Sequence, residues 1–138
     1  MKLFLDANVI FTAAYSPRGL SRGLFRLAEA GKCALCTSAF AHEEAIRNIQ
    51  KKAPDKLADL TTLMQQVDIL PEPHPQWVIR AARLPLARKD APVLAAALQG
   101  KVDIFVTGDR RDFGHLFGQV WEGVKILTPA DALEAVGS

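Results

Sequence analysis

Short apolar runs alternate along this chain with longer stretches whose apolar residues recur every three or four positions, the spacing of one helix face. Leu3-Phe4-Leu5 runs straight into Asp6 and predicts a first strand. Ser16-Pro17-Arg18-Gly19 predicts a turn, after which Leu20, Leu24, Leu27 and Ala28 share a helical face that Gly31 ends. A second strand is expected over residues 32–37, then a helix capped by Ser38 that carries Ala45, Ile46 and Ile49 to Lys52. Pro54 suits the first turn of the next helix, which bears Leu57, Leu60, Leu63 and Met64 and runs to about Gln66. Val67-Asp68-Ile69-Leu70 predicts a third strand, closed by Pro71-Glu72-Pro73-His74-Pro75, a stiff surface loop. A short helix is expected from Trp77 to Arg83, broken by Leu84-Pro85-Leu86, and Pro92 opens an alanine-rich helix over Val93 to Leu98 that stops at Gly100. Ile104-Phe105-Val106 then runs into Thr107-Gly108-Asp109 much as the first strand runs into Asp6. Val124 to Leu127 predicts one more strand, and a last helix follows from Thr128 or Pro129 to about Val136.

Strands that alternate with helices imply the α/β class, a three-layer α/β/α sandwich around a mainly parallel sheet. Ligands of such sheets collect beyond the carboxyl ends of the strands. Asp6 and Asp109 both fall at such ends. With no internal repeat and no low-complexity segment, residues 1–138 read as a single domain.

Composition changes this picture little. Hydrophobic residues make up 49% and charged ones 23%, which fits a globular chain rather than a disordered one. The net charge of +2 and a pI near 8.7 permit a nucleic-acid partner without demanding one. Asp6 interrupts the N-terminal apolar residues before a signal sequence could form, and no window has the length of a membrane span, so a cytoplasmic protein is expected. Cys33 and Cys36 form a C-x-x-C on a predicted strand, where residues three apart point to opposite faces; they read as small buried hydrophobes rather than as a redox or metal pair.

The candidate chemistry lies in the acids. A buried strand that ends on a carboxylate needs a partner for that charge, because an unpaired buried carboxylate is too costly to keep. Asp6 also suits a turn or helix cap. Glu43 and Glu44 both lie off the stripe of Ala45, Ile46 and Ile49, and periodicity does not choose between them. Asp90 stands two residues before Pro92 at a helix start, where aspartate is a favoured cap. Asp109 and Asp112 flank Arg110-Arg111 in a short loop; either suits a ligand while the other caps a turn.

Leu3-Phe4-Leu5-Asp6-Ala7-Asn8-Val9-Ile10 resembles the opening motif of PIN-domain ribonucleases. The segment from Ser38 to Ala45 resembles their glutamate-bearing helix, and Lys89 to Leu98 and Val106 to Phe113 resemble the third and fourth motifs, in the right order. The resemblance covers about residues 1 to 131. It implies that Asp6, Glu44, Asp90 and Asp109 form the acidic quartet, with Asp112 as an additional acid. It prefers Glu44 over Glu43 by the distance from Ser38, leaving Glu43 as a neighbouring support, and it makes Asn8 and Thr107 hydrogen-bonding supports of the acids. It further implies a homodimer and, as in many small stand-alone members, the toxin of a toxin–antitoxin pair with an antitoxin protein as partner.

Several carboxylates crowded together cannot all ionise at neutral pH unless a cation compensates them. Mg²⁺ or Mn²⁺ fits such oxygen ligands, with Asp6, Asp90, Asp109 and Asp112 as the expected metal-binding acids. A metal of this kind activates a water for in-line attack on phosphorus and stabilises the leaving oxygen, which points to hydrolysis of a phosphodiester, and the resemblance implies RNA as its source. The serines lack a G-x-S-x-G setting, the histidines His42, His74 and His115 lack metal-ligand spacing, and no P-loop is present. A phosphatase of the D-x-D-x-T type is disfavoured because position 8 is Asn. Arg18, Arg22 and Arg26 recur every four residues, and with Arg110 and Arg111 they are the expected contacts to RNA phosphates; Arg80, Arg83, Arg88 and Lys89 add charge near the later motifs. Tyr15, Phe113 and Trp121 are the aromatics considered for base stacking. A non-catalytic PIN-like module that binds RNA or a protein is the alternative function.

Overall fold

The computed structural model describes residues 1–137. Six strands form one sheet in the order β3-β2-β1-β4-β6-β5: β1 Lys2–Leu5, β2 Ala34–Ser38, β3 Val67–Leu70, β4 Ile104–Val106, β5 Val120–Trp121 and β6 Val124–Leu127. All pairings are parallel except that of β5 with β6. The helices are α1 Ala7–Tyr15, α2 Leu20–Glu29, α3 Ala39–Lys52, α4 Leu57–Met64, α5 Pro75–Ala81, α6 Ala91–Gln99, α7 Arg110–Phe113 and α8 Pro129–Gly137. They flank the sheet on both faces, as the alternation of strands and helices predicts.

The connections explain the layers. From β1 the chain steps to β2 and then to β3 in one direction, and it returns across β1 to β4 in the other. Right-handed crossovers in opposite directions place their helices on opposite faces. Accordingly α1 packs with α2, α3 and α4, while α5 and α6 pack with each other; α8 closes against α2 and strands β4 and β6. Between β1 and β4 lies the switch in direction, and a crevice opens there beyond the carboxyl ends of the two strands.

β1 and β4 are fully buried at Leu3, Phe4, Leu5, Phe105 and Val106, as a central parallel strand requires. Phe4 lies opposite Phe105 in the ladder, and their rings stack with centroids 5.4 Å apart. Phe113 of α7 tilts against Phe105 at 5.2 Å, so that the loop carrying Asp109 and Asp112 is tied to the core. Burying a ring of this kind contributes on the order of 2 kcal/mol.

Four elements depart from expectation. Between Asp6 and Ser16 no element was predicted, yet α1 fills the segment; Ala7, Val9, Ile10, Ala13 and Ala14 are buried on one broad face, while Phe11 and Tyr15 lie on the opposite side and blur the amphipathic stripe in the sequence. The expected loop at residues 110–113 is a short helix, α7, capped by Asp109. The antiparallel strand β5 joins β6 through Glu122-Gly123, both at positive φ (49° and 84°), which is a two-residue type I′ hairpin without the usual Asn-Gly signal. The helix expected from Trp77 starts instead at Pro75 and ends at Ala81. Among the described residues no helix is long and apolar enough to cross a membrane.

Candidate active site

The end of β1 is a hydrogen-bonded knot. Asp6 caps α1: its Oδ1 accepts from the Ala7 N–H at 2.9 Å, and its Oδ2 accepts from the Thr107 hydroxyl at 2.8 Å and from Asn8 Nδ2 at 3.1 Å. Asn8 also accepts the Gly108 N–H at 2.7 Å, and Thr107 Oγ1 accepts the Asp109 N–H at 3.1 Å. A Cβ at position 108 would stand 3.2 Å from Asn8 Oδ1, which is why glycine serves there. Asn8 and Thr107 thus tie the ends of β1 and β4 together and hold the Asp6 carboxylate. Burial pushes the Asp6 carboxyl above its ordinary range, against the pull of the Thr107 and Ala7 hydrogen bonds, and the charges of Glu44 and Asp109 push the same way.

A small cavity of about 90 Å³ lies over this knot, lined by Asp6, Asn8, Phe40, Glu44, Lys89, Asp90, Val93 and Asp109. All four quartet acids therefore meet in one place, from the ends of β1 and β4, from α3 and from the start of α6. Glu44 reaches it because Ser38 caps α3, accepting the Ala41 N–H at 3.2 Å, and sets which face the helix presents. Glu43 is exposed and does not line the cavity.

Asp90 occupies the cap position of α6 but makes no capping hydrogen bond. Its Oδ2 is buried with no hydrogen-bond partner among the described residues. Burial first, then Asp112 and Asp6, push its carboxyl up to about 7. The Asp112 carboxyl is held below its ordinary range, chiefly by its interaction with Asp90. Asp109 spends Oδ1 on capping α7, accepting the Asp112 N–H at 3.0 Å. Asp112 lies outside the cavity and pairs with Lys89, Nζ to Oδ2, at 3.5 Å.

The donors are hard carboxylate oxygens, the set Mg²⁺ or Mn²⁺ prefers. The unpartnered Asp90 oxygen beside Asp6 is a place where a cation would offset a charge that Lys89 offsets only in part, and in that respect the residues fit a divalent ion. Among the described residues, no three of these side chains stand close enough together to hold an ion as they lie. Cys33 and Cys36 are free thiols away from this cavity, and burial pushes Cys36 up to about 11, as befits a small core residue.

The expected phosphate contacts are dispersed. Arg22 and Arg26 line a different cavity of about 750 Å³ with Cys33 and Asp68; Arg22 Nε donates to the Ala13 carbonyl at 2.7 Å, and Arg26 Nη1 to the Pro17 carbonyl at 3.2 Å. Arg18 and Arg111 are exposed, and Arg110 lines a neighbouring cavity of about 380 Å³ that shares Asn8 with the acidic one. Phe113 is core and Trp121 sits half-buried on β5, while Tyr15 stacks on Phe11 at 5.7 Å. The exposed aromatic ring at the acids is Phe40, which carried no role in the sequence beyond its place in the glutamate-bearing motif; its spacing of one helical turn from Glu44 was the available signal.

The fold has known relatives. VapBC2 from Rickettsia felis, determined bound to a DNA fragment from its promoter, is similar with TM-score 0.67 and 14% identity over 93% of this chain and 98% of that one. PAE2754 from Pyrobaculum aerophilum gives 0.66 and 20% over 99% and 96%, and a toxin-antitoxin complex from Klebsiella pneumoniae gives 0.60 and 19% over 92% and 97%. No curated protein matches the sequence. The model of the PIN domain family matches residues 2–111, which contain the whole quartet, and the chain belongs to that family.

Proposed function

We propose that this protein is a metal-dependent ribonuclease that hydrolyses RNA phosphodiester bonds, acting in the cytoplasm as the toxin of a toxin–antitoxin pair and as a homodimer. PIN domains are generally nucleases that use divalent ions. The observation that carries the reading is Asp90: a buried carboxylate oxygen without a partner, gathered with Asp6, Glu44 and Asp109 at the switch point of the sheet. Structure is poorly served by such a crowd of like charges; a site for a cation and a phosphate is well served. The likeness to a toxin-antitoxin complex supports an antitoxin partner.

Asp6, Asp90 and Asp109 would hold the ion, with Glu44 across the cavity from the strand ends and Asn8 and Thr107 keeping Asp6 in place. Asp112 lies outside the cavity and is a less direct donor. A bound Mg²⁺ or Mn²⁺ supplies an activated water and charge neutralisation at phosphorus. The second reading, a non-catalytic RNA- or protein-binding module, draws on the absence among the described residues of a ready-made three-ligand group.

One experiment separates them. Single-stranded and structured RNAs are incubated with purified protein in Mg²⁺ or Mn²⁺ and in chelator, alongside Asp6→Asn and Asp90→Asn. The nuclease reading expects cleavage that chelator and both substitutions abolish. Tight RNA or protein binding with no cleavage under any metal condition favours the module, and cleavage that survives chelator and both substitutions overturns the proposed mechanism.

A further inference from the structure

We infer that the mouth of the acidic cavity is a seat for one nucleotide, in which Lys89 meets a backbone phosphate and Phe40 meets the face of the adjoining base. The inference rests on the nuclease reading and adds the side chains that would hold the substrate.

The acids alone repel a phosphodiester. Among the described residues that line their cavity, Lys89 carries the single positive charge. Its side chain is 74% exposed, so the ammonium stands at the mouth, and its Nζ lies 3.5 Å from Asp112 Oδ2. This gives Asp112 a task other than holding a metal ion. It sits on α7, outside the cavity, and anchors the lysine that the short turn at residues 88–90 carries in from the other side. The arginines that the sequence offered for the same work do not line this cavity.

Phe40 lies one helical turn before Glu44 on α3, so both project to the same side and line the same cavity. The residue is 49% exposed. A single exposed apolar residue is ordinary on a surface. Phe40 differs in sharing a cavity with four carboxylates, where its exposed face offers a base a flat surface to stack on. A cation for the phosphate and a ring for the base, on separate elements and around one cavity, are the two recognition groups that a strand of nucleic acid requires.

The test measures binding of a fluorescent single-stranded oligoribonucleotide across a salt series with Ca²⁺ in place of Mg²⁺, together with kcat and KM for cleavage in Mg²⁺. The variants are Lys89→Met, Lys89→Arg, Phe40→Leu, Phe40→Trp and Asp112→Asn, with Asp6→Asn as the inactive control. Thermal melts confirm that each variant folds. Losing one phosphate contact lowers the slope of log affinity against log salt by about 0.7 for a single strand, so Lys89→Met shows that drop and Lys89→Arg restores it. Phe40→Leu weakens binding about tenfold with an unchanged slope, and Phe40→Trp recovers it. Asp112→Asn raises KM more than it lowers kcat. A wild-type slope in Lys89→Met, or wild-type affinity in Phe40→Leu, overturns the seat while the nuclease reading stands on wild-type cleavage; a wild type that neither binds nor cuts removes both.

Discussion

Asp6 and Asp90 each stand immediately before a helix, and their surroundings treat them differently. Asp6 accepts three hydrogen bonds, the shortest from the Thr107 hydroxyl at 2.8 Å, whereas Asp90 Oδ2 accepts none from the described residues. Thr107→Val keeps the shape but leaves the buried Asp6 oxygen short of a donor. It is expected to cost about 1.5–3 kcal/mol in urea unfolding, the range for a hydrogen bond to a charged group. Asp90 predicts a pH effect. Its carboxyl is raised from 3.8 to about 7, so between those values the folded protein binds more protons than the unfolded chain. Stability of the metal-free protein therefore falls as pH rises from about 4 to about 7, having been fully present below that window. Thermal melts across this range should show the fall in the wild type, and Asp90→Asn should flatten it and melt higher at pH 8.

At the scale of elements, two substitutions separate what holds the site from what only holds the fold. Ser38 caps α3, the helix that brings Phe40 and Glu44 to the cavity. Ser38→Ala is expected to cost about 1 kcal/mol of stability and, by loosening the first turn that aims both side chains, to lower cleavage as well. Gly123 sits in the β5–β6 hairpin at φ 84°, with nothing within 4 Å of the place its Cβ would take. Gly123→Ala should thus cost about 1–2 kcal/mol of backbone strain alone. Its cleavage rate, measured well below the melting temperature, should match the wild type because the hairpin lies at the far edge of the sheet from β1.

At the scale of the whole molecule, the site belongs to no single element. β1, α3, α6 and the segment after β4 each contribute one acid, so anything that binds the acids together reports on the closed fold. A divalent ion that binds the folded chain alone should stabilise it by about 2.7 kcal/mol at a hundredfold excess over its Kd. The shift should be full at pH 8 and shrink toward pH 5, where the proton on Asp90 competes with the ion, and Asp90→Asn should largely abolish it. Equal shifts at both pH values would sink the assignment of Asp90 as a ligand.

Much of this was legible along the chain. The short strand-like runs marked β1, β2, β3, β4 and β6 and the turn and cap residues marked most helices, because burial on a pleat or along one helix face leaves a periodic trace. Alternation of the two gave the α/β class, and four motifs in order gave the family. The rest required tertiary structure. Helix α1 buries one face but carries Phe11 and Tyr15 on the other, so its stripe is blurred in the sequence. Glu44 was separated from Glu43 in space only by the packing of α3, which leaves one at the cavity and the other exposed. The missing partner of Asp90, the pairing of Lys89 with Asp112 and the exposed ring of Phe40 join residues distant in sequence. Local sequence determines what each segment prefers to become; which charges are left facing one another is decided only when the sheet brings its strand ends together.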